Sequence, residues 1–257
     1  MNAGSMELAS LDRWKASLIH LGISAAIGFA VVALMLLVWY PRPYFSAMGG
    51  DTLILLLIGV DVVIGPMITL IIFDPKKKAL RFDLSVIAAL QLAALAYGCS
   101  VMFTARPVYN VFVVDRFETV AANQVDAASR AKAADDFRSL PLTGPKIVAA
   151  HQPADAQRQA DIVIQAMNGG PDLANLPDLY APYSAARAEV AGKARPLAEL
   201  IKRQPGDAAA LRASLVGAGR TEDAVGFLPM KARNKDMTVL VDKKTGDVVN
   251  IVPVYPW

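Results

Sequence analysis

Among 257 residues the chain has one cysteine and two histidines, and aromatic residues make up 7%. A lone cysteine, Cys99, excludes an internal disulfide framework, so any globular part is held by its own core or by partners. The two histidines, His20 and His151, stand without cysteines or acidic ligands at metal-binding spacing. No phosphate loop is present, and no Gly-x-Ser-x-Gly nucleophile elbow. Charge is scarce too, at 19% of residues. From Arg106 onward there are 19 basic and 17 acidic residues, a net of +2, too balanced for a nucleic-acid surface. These absences predict no metal, no cofactor, no small-molecule substrate and no catalytic residue.

What is abundant is apolar side chain, 54% of the total, with a positive mean hydropathy. It concentrates in three runs, Ala16–Tyr40, Thr52–Phe73 and Leu84–Thr104, each about the length a helix needs to cross a bilayer. The first is too long for a signal-peptide core and ends in Trp39-Tyr40, like an interfacial aromatic belt, so it reads as an uncleaved span. Arg13, Lys15, Lys76, Lys77, Lys78 and Arg81 flank one side of the three runs, and the first loop carries only Arg42. That asymmetry predicts a cytoplasmic N-terminus and, after an odd number of spans, a periplasmic C-terminal part in a bacterial inner membrane. Arg106, just past the third span, is the one basic residue opposing it. The Lys76–Lys78 triplet reads as a topology signal and lipid-headgroup anchor. The expected organisation is an integral membrane protein: a cytoplasmic segment 1–15, a transmembrane domain 16–105 and a periplasmic α+β domain 106–257.

Within the second run stands one acid. Asp61 lies ten residues into Thr52–Phe73, near the bilayer midplane, where a charged side chain costs roughly 2.5–3.5 kcal/mol on insertion scales. Gly59 and Gly65 permit close helix approach, and Pro66 removes a backbone donor that a neighbour must replace. Three readings of Asp61 stand open: an internal helix-packing bond, a docking contact for a partner's membrane helix, or ion or proton transport. Gln91, about 6 Å off in depth by helix rise, and Tyr97 are the candidate internal partners. His20 reads as an interfacial residue nearer the cytoplasmic edge. In the first span, Gly22, Ser24, Ala25, Ala26 and Gly28 offer a small-residue face.

Beyond the third span, Pro107 ends the helix and Val108–Val114 reads as a strand, with Asp115 and Arg116 as a local ion pair at its end. Val125–Leu140 reads as a helix, Lys146–Ala150 as a strand, and Asp155–Met167 as a helix capped by Asp155. Pro171–Pro182 is loop-like, and Ser184–Ile201 and Gly206–Gly217 are helical, Asp207 starting the latter. Phe227–Lys231, Met237–Asp242 and Asp247–Val254 are strands, the last two forming a hairpin through Thr245-Gly246.

The pattern Gly59-x-Asp61-x-x-x-Gly65-Pro66-x-x-Thr69, the Lys76-Lys77-Lys78 loop, and the junction Arg106-Pro107-x-Tyr109-x-x-x-x-x-Asp115-Arg116 resemble the type IV pilin accessory proteins of the TfpX/TfpZ type. The resemblance spans residues 15–120. It implies three spans and an outer domain, and a protein that binds a major type IV pilin and assists or modulates pilus assembly. Gly59, Asp61, Gly65 and Pro66 would then receive the pilin helix while the outer domain contacts the pilin head, and Arg106, Pro107, Tyr109, Asp115 and Arg116 would form the membrane–periplasm junction. The competing classes are a membrane-anchored enzyme working through Asp61 or Asp115, and a sensor. The enzyme needs a second titratable group at matching depth, and the sensor an output domain that cytoplasmic segments this short do not provide.

Overall fold

A computed structural model describes residues 12–257 of the chain. They form two compact units, one of the residues up to Leu37 with Gly50–Phe103, the other of Val38–Gly49 with Thr104–Trp257. Of the expected cytoplasmic segment 1–15, residues 1–11 lie outside the described residues.

The first unit consists of three helices, α1 (Arg13–Trp39), α2 (Gly50–Ile72) and α3 (Leu80–Ala105), each long and apolar enough to cross a membrane. Asp12 caps α1, its carboxylate accepting from Lys15 N–H at 2.8 Å. In α1 the small residues Ala16, Ser24 and Gly28 are buried, and in α2 the buried positions are Asp61, Gly65, Pro66 and Thr69. Steps of four residues on both helices mean that two i, i+4 ridges face each other. Small side chains at the contact let the backbones come close: a Cβ on Gly28 would meet Val62 Cγ2 at 3.6 Å.

Helix α2 changes pitch in its middle. Gly59–Ile64 is π-helical, and the Gly65 N–H reaches back five residues to the Val60 carbonyl. The next donor in that pattern would be residue 66, and proline has none. A π-turn at such a point is a common mark of a functional site within a helix. A second π-turn, Met35–Trp39, ends α1.

The second unit is built on a mixed sheet of β1 (Pro107–Val113), β2 (Arg116–Ala121), β3 (Lys146–Ala150), β4 (Tyr180–Pro182), β5 (Arg195–Pro196), β6 (Val225–Lys231), β7 (Met237–Asp242) and β8 (Val248–Val252). The order is β4-β3-β1-β2-β6-β7-β8, with β5 on β6. Strands β1 and β3 pair in parallel, as do β2 and β6, and the other pairs are antiparallel. Around the sheet lie α4 (Ala127–Lys132), α5 (Ala156–Met167), α6 (Arg187–Lys193), α7 (Leu197–Arg203) and α8 (Ala208–Gly217). One core gathers Tyr109, Val111, Val148 and Tyr180 with Phe137, and the other gathers Leu200, Leu211, Leu215, Phe227 and Leu240. The α+β expectation holds.

Several elements differ from the sequence reading. Residues 125–140 form α4 and a separate turn, Asp135–Arg138, broken at Ala133-Ala134. The expected helix 184–201 is divided by β5, because Pro196 cannot donate within a helix and residue 195 before it is pushed to extended backbone. Asp207 stands at the start of α8 without its side chain capping it. Strand β2 was not foreseen. It returns through Val114-Asp115, where Val114 takes φ 53°, a conformation that Gly, Asn or Asp normally supplies.

The segment Val38–Gly49, read as a plain loop between spans, is built into the second unit. Gly144 N–H donates to the Val38 carbonyl at 3.1 Å, and Asn234 N–H donates to the Ala47 carbonyl at 2.8 Å. Asn110 Nδ2 donates to the Tyr44 hydroxyl at 2.5 Å, and Thr119 Oγ1 donates to Asn110 Oδ1 at 3.1 Å. Asn110 is 1% exposed and Tyr40 equally buried, so this strap closes part of the core.

Candidate functional site: a groove with a polar floor

Asp61 is 8% exposed, and its Oδ1 has no hydrogen-bond partner among the described residues. Burying a carboxylate oxygen without a partner is costly, all the more where water is excluded. The internal partner foreseen for it serves another purpose. Gln91 of α3 donates through Nε2 to the Asp61 backbone carbonyl at 3.3 Å, replacing the donor that Pro66 lacks. Gly65 makes room for that amide, since a Cβ there would overlap the end of the Gln91 side chain. Pro66 is served as well, its carbonyl accepting from Ser17 Oγ at 2.9 Å. Gly65, Pro66 and Gln91 therefore work on the inside of the bundle and leave the carboxylate unspent. A Cβ on Gly59 would meet nothing within 4 Å, so this glycine takes no part in the internal packing.

The carboxylate faces space. Between α1 and α3 run two adjoining cavities of about 320 and 210 Å³, sharing His20, Ile23 and Ala88. Their walls are apolar, with Ile19 and Ile27 on one side and Ile87, Leu92 and Leu95 on the other. Their floor carries Thr69, His20, Ser24, Asp61 and Gln91. His20 Nδ1 lies 2.7 Å from Thr69 Oγ1, two turns along α2 from Asp61, and the ring lines the same cavity as Asp61. A third cavity, about 360 Å³, reaches Asp61 from the opposite flank, past Met35, Tyr97 and Gly98. Tyr97 is 74% exposed and lines this flank. Long apolar side chains thus bracket a buried acid, a combination that is costly to keep in an apolar setting.

The five junction residues do not gather at one place. Arg106, Pro107 and Tyr109 stand at the first end of β1. Burial pushes the Arg106 guanidinium below its ordinary pKa, with Tyr40 opposing, and Arg106 Nε donates to the Pro141 carbonyl at 3.2 Å. Tyr109 is fully buried, its hydroxyl donating to the carbonyls of Phe137 at 3.4 Å and Ser139 at 3.3 Å. Asp115 and Arg116 stand at the other end of a seven-residue strand, about 23 Å away by strand rise. There Arg116 Nε is 3.7 Å from Asp115 and 3.4 Å from Glu118. Burial raises the Glu118 pKa against the pull of Lys231 and Arg116. Among the described residues no group of three or more His, Cys, Asp or Glu is placed to hold a metal.

The roles of Ser17, Thr69 and Gln91 were only partly visible beforehand. A proline following a helical acid signals an orphaned carbonyl, but which side chain reaches it depends on helix rotation. The strap carried a fainter signal in Tyr40-Pro41-Arg42-Pro43-Tyr44, more aromatic and proline-rich than a plain loop needs.

Residues 9–49 match the family of the fimbrial assembly protein FimB. A fimbrial assembly protein of Dichelobacter nodosus, serogroup I, is 31% identical over 233 residues, covering 89% of this chain and 90% of that protein. Its serogroup E1 counterpart is 31% identical over 236 residues, with 89% and 90% covered. The protein of serogroups C1 and C2 is 36% identical over 113 residues, 43% of this chain and 86% of its own length. The first two alignments reach well beyond residues 15–120. No solved structure matches the chain.

Proposed function

The chain belongs to the fimbrial assembly protein family, as the resemblance to pilin accessory proteins anticipated, and from that premise we propose that it binds a major type IV pilin through its helical unit. In this reading the three helices span the bacterial inner membrane with the N-terminus cytoplasmic and the second unit periplasmic. The pilin's membrane helix lies in the groove between α1 and α3, and the protein assists or modulates pilus assembly without catalysis.

The observation that carries the reading is the unpartnered Asp61 carboxylate on the floor of an apolar groove. The internal needs of the bundle are met without it, through Gln91, Ser17 and Thr69. Retaining a buried acid at such cost is explained if an incoming helix satisfies it. A polar contact across membrane helices contributes about 0.6–1.7 kcal/mol, worth roughly 3- to 18-fold in affinity.

The test is pilin co-purification from membranes with Asp61→Ala and Asp61→Asn. Recovery of pilin per mole of protein should fall by that factor for Asp61→Ala, with the protein's own level unchanged. A matching fall in protein level would make Asp61 a packing residue and remove the main support for docking.

A further inference from the structure

Helix α5 carries its apolar face outward. Ala156, Ala160, Val163, Ile164 and Met167 recur at the spacing of one helical stripe, yet Val163 is 57%, Ile164 56% and Met167 82% exposed. The only buried residue of the helix among the described residues is Ile162, which lies around the helix from that stripe, on its far side. Val163 also borders a cleft of about 200 Å³ that includes Val114, the hairpin-tip valine at φ 53°. The apolar surface thus continues from the helix onto a strained turn, a place where strain often accompanies binding.

Two features limit what can cover it. A helix lying on a lipid surface is rich in Lys and Arg on its polar face. Here that face has one cation, Arg158, and it is paired with Asp178. Around stripe and cleft stand Asp115, Glu118, Asp161, Asp172 and Asp178 against Arg116, Arg158 and Lys231, five acids to three bases. This rim repels anionic lipid, and in a symmetric pairing of two copies it would set acid against acid. The second feature is area. A face about 18 Å long and 10 Å wide supplies roughly 200 Å², short of the roughly 800 Å² per partner of a stable complex. Its occupant must be held by another contact as well, so that this one adds to binding already in place.

We propose that the α5 stripe and its cleft dock an apolar, base-rimmed patch on the head of the same membrane-tethered partner whose helix occupies the α1–α3 groove. The inference rests on the groove reading above, and it adds a second, independent point of attachment on the outer unit.

The full-length protein is expressed in membranes with the major pilin as the probe. A photo-crosslinking residue is placed at Met167, at Gln165 on the opposite face of α5, or at Leu92 in the groove wall. Adducts to pilin are expected from Met167 and Leu92 and not from Gln165. Ile164→Asp, an exposed change that leaves the core intact, should lower the Met167 adduct at least tenfold and spare the Leu92 adduct. A Leu92 adduct with Met167 joined to a second copy, to lipid, or to nothing overturns the α5 surface alone. Absence of the Leu92 adduct overturns the groove reading, and a Met167 adduct remaining in that case supports the α5 contact by itself.

Discussion

Replacing Gly65 by alanine places a methyl group where the Gln91 amide lies. The backbone is not obstructed, and the displaced atoms are the far end of a flexible side chain, so Gln91 swings aside instead of forcing the helices apart. What is lost is the bond from Gln91 Nε2 to the Asp61 carbonyl, which Pro66 leaves without a backbone donor. Hydrogen bonds between membrane helices average about 0.6 kcal/mol and reach about 1.7. The upper part of that range applies, because this carbonyl has no helical alternative. If Gln91 were instead unable to move, overpacking would raise the cost to about 1–3 kcal/mol. Denaturation of the purified protein by SDS in mixed micelles measures the loss, and Gln91→Ala provides the second arm of a double-mutant cycle. With Gln91 truncated, the alanine at 65 meets empty space and gains helix propensity of up to about 1 kcal/mol. The same gain offsets part of the lost bond in the parent, so the expected outcome is a loss of up to about 1.5 kcal/mol there and none, or a small gain, in Gln91→Ala. Gly59→Ala, where nothing lies within 4 Å, serves as the control that reads the propensity gain alone. Equal losses from Gly65→Ala in both backgrounds would refute the Gly65–Gln91–Asp61 arrangement and the account of why Gly65 and Pro66 stand together.

Other outcomes follow from the second unit. Asn110→Ala removes two buried hydrogen bonds and strands the Tyr44 and Thr119 hydroxyls, so thermal unfolding should show a loss of about 2–3 kcal/mol, with Tyr44→Phe costing about 1. Val114→Gly relieves a left-handed valine worth roughly 1–2 kcal/mol against about 0.5–1 of added chain entropy; a small rise in Tm should accompany weaker crosslinking at Met167. Burial alone would raise the Asp178 pKa, but hydrogen bonds from Ser129 and Arg158 outweigh it and hold the carboxyl below its ordinary 3.8. A depressed acid stabilises the fold above its unfolded pKa and loses that contribution as pH falls through the folded value. Stability should thus drop below about pH 3.8 by an amount that Ser129→Ala reduces, as read from acid-denaturation midpoints.

Legibility from sequence followed the range of the interactions. The three helices were plain because bilayer-length apolar runs announce themselves, and their observed bounds lie within four residues of the runs. Helix α5 and strand β7 were found nearly to the residue, the first through its Asp155 cap and the second through alternation and the Thr245-Gly246 turn. The β1–β2 hairpin stayed hidden because its turn uses valine where the usual turn chemistry requires a residue tolerant of positive φ. Helix breaks at Ala133-Ala134 and at residue 195 were missed where alanine-rich composition outweighed weaker local signals. At the site, Asp61 stood out as a charge in an apolar helix, but the use of Gln91 on its carbonyl instead of its carboxylate required knowing the π-turn. The separation of Asp115 and Arg116 from Arg106 and Pro107 is a consequence of strand length, which adjacency in sequence concealed.

The strap Val38–Gly49 ties the order of synthesis to the order of folding. Its tyrosines leave the ribosome before Asn110, Gly144 and Asn234, and the 54 residues of Gly50–Phe103 intervene, several seconds of elongation at ~5–20 residues per second. Until then Tyr40 and Tyr44 have no pocket, and the sheet, when it is made, cannot close without them. A piece that begins at residue 106 leaves Asn110 without Tyr44 and Asn234 without the Ala47 carbonyl. The second unit is therefore finished only once the segment that follows α1 has met residues made more than a hundred positions later, so its maturation reports that the chain has been made through Asn234.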